Sequence, residues 1–371
     1  MVRERVVVVG GGIVGCTAAA LLAEAGRSVT LLEATAIAAG ASGRNSGAVQ
    51  HPFDPVLLPL HLETLTMYRE LAAAGPGFSI PAEPVGILLV TDDTDAARSR
   101  AAELGVAFPE LNAEALDPDA VAAAEPALSP GWSAVHVATG YPVTPDGATR
   151  AMAARGVRAG VALRIGLAAR PWIDDGHVRG VTLDDGEQLS ADQVLVAAGP
   201  WTPEVLGHDP PWPGITRTWG VTVLLELTHP PRHVLEEGVV HTVNVASGLD
   251  GSLFSLVAVG GMATVGSTFV AVEPDPEVLA PRLVERGSTF VPELADARVI
   301  GIRLCARPQS ADGHPFIGPM PAVDGLFVCA GHGPWGMSTG PGSAALVVDH
   351  MLGRAERIPL ALSADRTRSG A

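Results

Sequence analysis

Lysine is absent from this sequence of 371 residues, so all 24 basic residues are arginine, against 40 acidic ones. The formal net charge is therefore −16. A surface this acidic repels phosphate backbones and anionic headgroups, which excludes nucleic acid and acidic membranes as main partners. Hydrophobic residues make up 47% of the chain, enough to fill a large core, so disorder is excluded as well.

Cysteine is scarce, with residues only at positions 16, 305 and 329. Their spacing matches no metal motif, and three cysteines cannot form a disulfide framework. We therefore expect a reducing, cytoplasmic location and no bound metal. Because charged residues follow Met1 and an apolar run begins at once, we also expect no signal peptide.

The first long apolar run of the sequence is interrupted by helix-breaking residues. Residues 6–23 carry no charge and have the length of a membrane span, but glycines at positions 10, 11, 12 and 15 interrupt them. The pattern instead predicts a buried strand over 5–9, a helix over 13–25 and a second strand over 28–32. This βαβ unit implies a parallel sheet and no membrane span.

The turn between the first strand and the helix reads Gly10-Gly11-Gly12-Ile13-Val14-Gly15, a G-x-G-x-x-G fingerprint. Its glycines allow a tight turn, close approach of a pyrophosphate and close packing of the helix on the strand. The helix N-terminus favours phosphate, and the carboxylate that ends the second strand suits a ribose diol. We predict dinucleotide binding, by NAD or FAD, through Gly10, Gly12, Ile13, Val14, Gly15, Glu33 and Ala34.

The next segment, residues 40–47, combines small residues with hydrogen-bonding ones. This composition suits a backbone that passes a flat ring and a pyrophosphate, but it also fits an ordinary surface loop. The ligand-binding interpretation makes cofactor contacts of Ser42, Gly43, Arg44, Asn45 and Ser46.

The rest of the chain alternates between two kinds of pattern. Helices are predicted over 57–73, 92–104, 146–158 and 338–352, and strands over 85–91, 178–183, 193–197 and 326–330. Residues 215–270 alternate strands and turns without helices, as in an antiparallel sheet with one working face. The predicted fold class is α/β (α+β overall), with a Rossmann-like domain interleaved with a mainly antiparallel β domain.

Three later motifs complete a series. The first is a predicted strand with a small-residue turn, Val194-Leu195-Val196-Ala197-Ala198-Gly199-Pro200-Trp201. The second is Arg307-Pro308-x-x-x-Asp312-Gly313-x-Pro315-x-Ile317-Gly318, and the third is Gly331-His332-Gly333-x-x-Gly336. Together with the fingerprint and Gly40-Ala41-Ser42-x-x-Asn45-x-Gly47, and in the same order, they resemble the D-amino-acid-oxidase family of FAD flavoproteins. That family includes glycine oxidase, sarcosine oxidase and D-amino-acid dehydrogenases.

The resemblance implies FAD as the cofactor and a discontinuous domain arrangement. Residues 1–80, 145–215 and 300–371 would form the FAD-binding domain, and residues 81–144 and 216–299 the substrate-binding domain, whose sheet covers the flavin. The last helix would direct its N-terminus at the flavin, where it stabilises negative charge. The further cofactor contacts implied are Ala169, Ala198, Gly199, Trp201, Gly331, Gly333, Trp335, Gly336, Met337 and Ser338.

The implied reaction is oxidation of a small amino acid or secondary amine that bears a carboxylate. Hydride passes from the α-carbon to flavin N5, and the imine product hydrolyses. The electrons then go to dioxygen or to another acceptor. Two alternatives stay open: a flavin subunit of a hetero-oligomeric dehydrogenase, and oxidation of a 2-hydroxy acid. The substrate side chain, the acceptor and any oligomer are left open too.

Arg307 is the main candidate for the substrate carboxylate, because members similar to glycine oxidase use an arginine in the matching motif and guanidinium binds carboxylate in a bidentate fork. A structural pairing with Asp312 is the alternative. His51 and Trp335 are the other candidate catalytic residues, and for His51 the alternative is a packed, structural histidine. Weaker pocket candidates are Tyr141, Arg217, Trp219, His241 and Asn244.

Cys305 has the spacing of the flavin-linked cysteine of members similar to sarcosine oxidase, but the Arg-Pro that follows it matches glycine oxidase, whose flavin is not linked. Both interpretations stay open. Cys16 and Cys329 are expected in the core. The missing lysine removes the residue with which sarcosine oxidases activate dioxygen, so oxidase and dehydrogenase activity both remain possible interpretations.

Overall fold

A computed structural model of the protein describes residues 3–75, 77–207, 214–238, 251–355 and 357–366. Its strands are β1 (Arg5–Val9), β2 (Ser28–Glu33), β3 (Ala48–Val49), β4 (Ile87–Thr91), β5 (Glu114–Leu116), β6 (Ser133–Val137), β7 (Tyr141–Pro142), β8 (Ala162–Ile165), β9 (Ala169–Asp174), β10 (His177–Leu183), β11 (Gln188–Ser190), β12 (Gln193–Val196), β13 (Thr216–Glu226), β14 (Val234–Glu237), β15 (Ser252–Val259), β16 (Met262–Thr268), β17 (Arg298–Gln309), β18 (Phe316–Pro319) and β19 (Leu326–Ala330). Its helices are α1 (Ile13–Glu24), α2 (Ala41–Arg44), α3 (Leu58–Ala73), α4 (Thr94–Ala107), α5 (Pro118–Ala124), α6 (Gly147–Arg158), α7 (Thr202–Leu206), α8 (Pro276–Phe290) and α9 (Gly336–Met351).

The first sheet has six strands in the order β18-β19-β12-β1-β2-β8. Five of them run parallel, and only β18 at one edge is antiparallel to its neighbour. β1 lies near the centre and is apolar and buried from Val6 to Val9, as a strand covered on both faces requires. The predicted βαβ unit and parallel sheet are confirmed.

Two different layers cover this sheet. Val6 and Val8 face a core shared with α1, α3, α6 and α9, while Val7 and Val9 face the small antiparallel sheet β11-β10-β9. This alternation follows from the period of two along a strand. Among the described residues, no helix is long and apolar enough to cross a membrane.

The larger sheet has eight strands in the order β17-β13-β16-β15-β14-β4-β6-β5. Its pairs are antiparallel except for β14 with β4. In the described part of 215–270 all regular structure is strand, which confirms the predicted pattern. A small ribbon, β3 with β7, completes the sheets.

One face of the larger sheet packs against α8 and α5. Phe254 of β15 and Phe290 of α8 stack there with ring centroids 4.2 Å apart. By alternation, Arg303, Cys305 and Arg307 of β17 point to the opposite face. That face is the one available to a ligand.

The patterns did not predict α8 or β17. In α8, Pro276 stands in the first turn and Pro281 inside the helix, and these prolines obscure the helical pattern. β17 pairs with β13 from Thr216↔Gln309 to Glu226↔Arg298, so residues 300–309 extend the larger sheet. The sequence had assigned these residues to the FAD-binding segment 300–371; the domain division as a whole stays a prediction.

Candidate active site

A cavity of about 1330 Å³ joins the two large sheets. Its walls are the carboxyl ends of β1, β2 and β12, the α2 segment, the start of α9 and the free face of the eight-stranded sheet. The predicted site residues that line it are Gly10, Gly12, Ile13, Val14, Glu33, Ala34, Ser42, Arg44, Asn45, Ser46, Ala169, Ala198, Gly199, Trp201, Arg307, Gly333, Trp335, Gly336, Met337 and Ser338. The predicted site residues that do not line it are Gly15, Gly43, His51 and Gly331.

The fingerprint glycines sit where the first strand and the first helix approach most closely. Gly10 has a φ of +117°, and a Cβ there would lie 2.4 Å from the carbonyl oxygen of Ala197. A Cβ on Gly15 would lie 1.9 Å from the carbonyl oxygen of Gly10. Gly15 therefore acts through packing, behind the cavity wall, and no other residue fits at either position.

The N-terminus of α1 opens on the cavity with no cap from the residue that precedes it. Gly12 precedes the helix, supplies no side-chain hydrogen bond, and no acidic residue stands in the first turn. The N–H groups of a first helical turn have no partner within the helix, so this end suits a phosphate group.

Glu33 ends β2 with a carboxylate in a fixed orientation. One oxygen accepts a hydrogen bond from the Gly11 N–H at 2.7 Å, and the other accepts from the Thr35 N–H at 2.8 Å. The Thr35 hydroxyl also donates to that second oxygen, at 3.0 Å. The oxygen bonded to Gly11 accepts one hydrogen bond and keeps lone-pair capacity, as hydrogen bonding to a ribose diol requires.

The 40–47 segment forms a short helix that lies between the two sheets. The Ser42 Oγ accepts from the Ile13 N–H at 3.0 Å, and Arg44 donates to the Leu304 carbonyl of β17 at 3.1 Å. The Asn45 amide bonds the carbonyls of Ala41, Ser42 and Pro145 and accepts from the Gly47 N–H. A Cβ on Gly43 would meet the Ala38 carbonyl oxygen at 2.2 Å, so Gly43 also serves packing.

The start of α9 is a second uncapped helix N-terminus at the cavity. Trp335 precedes the helix without a side-chain cap, and the first turn has no acid. The Ser338 Oγ accepts from the Gln50 N–H at 2.9 Å, and the Met337 carbonyl accepts from the Tyr68 hydroxyl at 2.9 Å. Gly331, with a φ of +95°, turns the chain behind this end and packs near Phe316.

Arg307 brings a buried positive charge to the cavity. Its guanidinium donates to the Thr268 carbonyl and to the Ser267 Oγ, both at 2.8 Å, and lies 4.1 Å from the centre of the Phe269 ring. No described residue forms an ion pair with it. Burial lowers the pKa of this guanidinium, opposed by the nearby Cys305 thiol.

Asp312, the alternative partner for Arg307, is bound elsewhere. Both of its oxygens accept hydrogen bonds from Arg366, at 2.7 and 2.9 Å. Arg366 also lies over the Phe316 ring, with its guanidinium carbon 3.6 Å from the centre. The structural pairing of Arg307 with Asp312 is therefore wrong, and Arg366 fills that role.

His51 lies in a packed cluster of rings instead of in the cavity wall. It is 3% exposed, its ring centroid is 4.8 Å from that of Phe108, and its Nδ1 accepts from the Phe53 N–H at 3.0 Å. Burial lowers the pKa of the imidazole, with Glu110 opposing. This placement does not support a catalytic role for His51.

The three weaker candidates among the described residues also lie outside the cavity wall. Arg217 pairs with Glu204, and Tyr141 is a core residue with 6% exposure. Trp219 does not line the cavity. His241 and Asn244 lie outside the described residues.

The three cysteines divide as expected. Cys16 and Cys329 are buried in hydrophobic cores, which confirms that prediction for both. Cys305 lines the cavity, where its thiol donates to the Arg44 carbonyl at 3.7 Å. Burial raises the pKa of the Cys305 thiol, and the nearby arginines oppose the rise.

Sequence reasoning missed several polar residues of the wall. Gln50, Thr222, Glu236, Ser255 and Ser267 all line the cavity. Four of them stand on strands of the larger sheet, where only the side-chain alternation within a correctly placed strand could have revealed them.

A glycine fingerprint at the carboxyl ends of a parallel sheet, open to a cavity under an antiparallel sheet, defines a dinucleotide-dependent enzyme. The profile of the family described as FAD dependent oxidoreductase (DAO) matches residues 5–350. The chain belongs to this family, and its cofactor is FAD. The glycine cradle, the N-terminus of α1 and Glu33 fit the pyrophosphate and ribose of that cofactor, and the N-terminus of α9 fits a ring that gains negative charge.

Individual relatives cover almost the whole chain. The sequence is 30% identical to glycine oxidase of Pseudomonas aeruginosa over 375 residues, covering 95% of each chain. It is 27% identical to D-amino acid dehydrogenase 2 of Ralstonia nicotianae, covering 96% of this chain and 98% of that one. Glycine oxidase from Bacillus cereus has a similar fold, with a TM-score of 0.80 at 23% identity over 95% of this chain and 96% of that one.

Proposed function

We propose that this protein oxidises the C–N bond of a small amino acid or secondary amine and that Arg307 binds the substrate carboxylate. The support comes from an unbalanced charge: Arg307 is partly buried in the cavity wall, with only neutral partners among the described residues. A buried charge is costly unless an opposite charge accompanies it. A substrate carboxylate supplies that charge.

The strand positions give Arg307 a defined direction. Gly220 of β13 lies opposite Cys305, and a Cβ on Gly220 would lie 2.6 Å from a guanidinium nitrogen of Arg307. The missing side chain lets the guanidinium lie flat across β13 to reach Ser267 and Thr268 of β16. The planar fork then orients a bidentate carboxylate and with it the α-carbon.

When bound, FAD would accept the hydride from the substrate α-carbon. The protein residues that would hold it are the fingerprint glycines, Glu33, the α2 segment and the start of α9. The N-terminus of α9 favours negative charge at the cavity, which stabilises the reduced cofactor. The free face of the larger sheet covers the cavity and limits the access of water to the reacting carbon.

We expect the FAD to be bound without a covalent link. The Cys305 thiol is buried, its pKa is raised, and its proton is engaged by the Arg44 carbonyl, so it is a poor nucleophile at neutral pH. Acid precipitation of the protein should therefore release the yellow colour into the supernatant. A yellow pellet would establish the link.

An anaerobic substrate screen tests the proposal. D-Alanine, both proline enantiomers, sarcosine and lactate are mixed with the purified enzyme, and bleaching of the flavin absorbance is followed. We expect an amino acid to bleach the flavin while lactate does not. Bleaching by lactate alone would favour 2-hydroxy acid oxidation. Rapid reoxidation by air would identify an oxidase, and dependence on a co-purifying chain would indicate a hetero-oligomeric dehydrogenase.

A further inference from the structure

Two adjacent acids of β14, Glu236 and Glu237, point to opposite faces of the larger sheet and have different surroundings. Both oxygens of Glu237 are 2.6 Å from the Arg286 guanidinium of α8, and one also accepts from the Phe254 N–H at 2.8 Å. Glu237 is thus a fully paired structural acid.

Glu236 faces the cavity with no opposite charge. Its single hydrogen-bond partner among the described residues is the Gln50 side-chain amide, which donates at 2.9 Å. Burial raises the pKa of this carboxyl, and the Gln50 hydrogen bond partly offsets the rise. The mechanism derived above gives this carboxylate no role.

Gln50 adds a second acceptor beside it. The residue is 7% exposed, and its backbone N–H is fixed to the Ser338 Oγ at the start of α9. Because a carboxylate only accepts hydrogen bonds, the Gln50 NH₂ must point to Glu236 and its carbonyl oxygen away. That buried Oε1 has no hydrogen-bond partner in the described part of the chain.

The pair thus offers hydrogen-bond acceptors and negative charge in one place. A buried carboxylate and a buried amide oxygen together match a group that carries several N–H donors and a positive charge. An ammonium or guanidinium group has this chemistry. A carboxylate or an alkyl chain does not, and a hydroxyl group matches the acceptors but brings no positive charge.

The register of the sheet sets the distance from this pair to the carboxylate anchor. Glu236 pairs with Ser255, and Ser255 pairs with Gly266, the residue before Ser267, which binds the Arg307 guanidinium. This row continues to Thr222 and Arg303, whereas Arg307 pairs with Thr218 and its guanidinium reaches Ser267 from beyond the row. The two charged groups therefore share one face and are separated by at least the distance between β14 and β16. Neighbouring strands are about 4.8 Å apart, which puts β14 about 10 Å from β16.

A single α-amino acid backbone does not span this distance, because its amine and carboxylate share one carbon. A side chain of three or four methylene groups with a terminal nitrogen does, at about 1.3 Å per bond plus a hydrogen bond of about 2.8 Å at each end. We propose that Glu236 and Gln50 bind the cationic nitrogen at the end of the substrate side chain, so that the preferred substrates are basic amino acids of the ornithine and lysine type. This inference rests on the proposed function.

The test compares ornithine with norleucine, which has nearly the same length but no terminal charge. Both enantiomers of each are assayed by anaerobic flavin reduction in the intact FAD-loaded enzyme. We expect kcat/KM for ornithine to exceed that for norleucine by about 10- to 100-fold, as for a hydrogen-bonded charge in a buried site. Comparable values in the wild type would overturn the subsite without requiring any variant.

The variant Glu236→Gln has the same shape and still accepts from Gln50. We expect it to bring the ornithine-to-norleucine ratio close to one and to leave norleucine oxidation within about threefold. The matched control is Glu226→Gln, which removes an exposed carboxylate paired with Arg298 and should keep the wild-type ratio. An unchanged ratio in Glu236→Gln would also overturn the subsite.

Assays with D-alanine and sarcosine distinguish failure of the cationic subsite from failure of the proposed function. If either bleaches the flavin while ornithine shows no advantage, C–N oxidation stands and the cationic subsite is wrong. If no amine or amino acid bleaches the flavin, the proposed function itself is wrong.

Discussion

The two ends of the cavity recognise their ligands with different parts of the polypeptide. At the cofactor end the chain contributes glycines, backbone N–H groups of two helix ends and the Glu33 carboxylate. At the proposed substrate end the cavity wall carries two charged side chains, Arg307 and Glu236, from strands far apart in sequence. The first kind of site depends on closeness of backbone, and the second on unpaired buried charge.

The largest effect is expected at the cofactor end, from Gly15→Ala. The new Cβ would lie 1.9 Å from the backbone carbonyl of Gly10, so strand and helix must separate. We expect the variant to lose its bound FAD, measured as visible flavin absorbance per polypeptide after purification.

The control is Gly105→Ala in α4, where no atom lies within 4 Å of the added Cβ. That change should stabilise the protein by about 0.5–1 kcal/mol and leave the FAD content unchanged. Full FAD occupancy in Gly15→Ala would contradict the packing account.

At the substrate end, Arg307→Ala should raise KM by about 100- to 5,000-fold, from a loss of about 3–5 kcal/mol for a buried ion pair with the substrate. The FAD content should stay the same, since the two ends are built separately. Steady-state kinetics with the best amino acid from the substrate screen measures the change.

Arg366→Ala is the matched control, because Arg366 is already paired with Asp312. We expect it to lower the melting temperature while KM stays within about threefold. Equal KM values for the two arginine variants would remove the distinction between a paired and an unpaired arginine.

The smallest expected effect is on the free energy of unfolding at low pH, through Glu125. Glu125 is 1% exposed and accepts hydrogen bonds from the His233 ring at 3.0 Å and from the N–H groups of Arg232 and His233. Burial alone would raise the pKa of Glu125, but these hydrogen bonds bring it below its ordinary value. Its contribution to stability is therefore present above the unfolded-state pKa of about 4.3 and is lost as the pH falls through the lower folded-state pKa.

Glu125→Gln should consequently cost about 1–3 kcal/mol at neutral pH, as for hydrogen bonds to a charged group. Thermal unfolding of wild type and variant at a series of pH values should show a gap that narrows in acid. A gap that widens as the pH falls would reverse the assigned direction of the pKa shift. The exposed Glu226→Gln serves as the charge control.

The cofactor end could be predicted from the sequence because its parts are neighbours in the chain. The fingerprint, the strand before it, the helix after it and Glu33 fall within one βαβ unit, and local spacing alone identifies them. Arg307 was found through a motif that also happens to be continuous. The prediction for β1 and the parallel sheet is confirmed, as is the helix-free pattern in the described part of 215–270.

The substrate end could not be predicted in the same way. β14 is four residues long and ends in two glutamates, which in a sequence resemble an exposed acidic turn. Only the strand's register sends Glu236 to the cavity and Glu237 to Arg286. His51 shows the opposite error: it follows the cofactor segment in sequence, yet the chain turns its ring into an aromatic cluster. Contacts between residues far apart in the sequence determine where all of these side chains point.

The most direct test of the account is whether catalysis requires the acid group that Arg307 is assigned to bind. The amino acid that reduces the flavin fastest should be compared, without oxygen, with the amine formed from it by loss of the carboxylate. We expect the amine to reduce the flavin at least 100-fold less efficiently in wild-type enzyme, and Arg307→Ala to abolish most of this difference. Equal reduction by the two compounds in the wild type would contradict the carboxylate-binding role of Arg307.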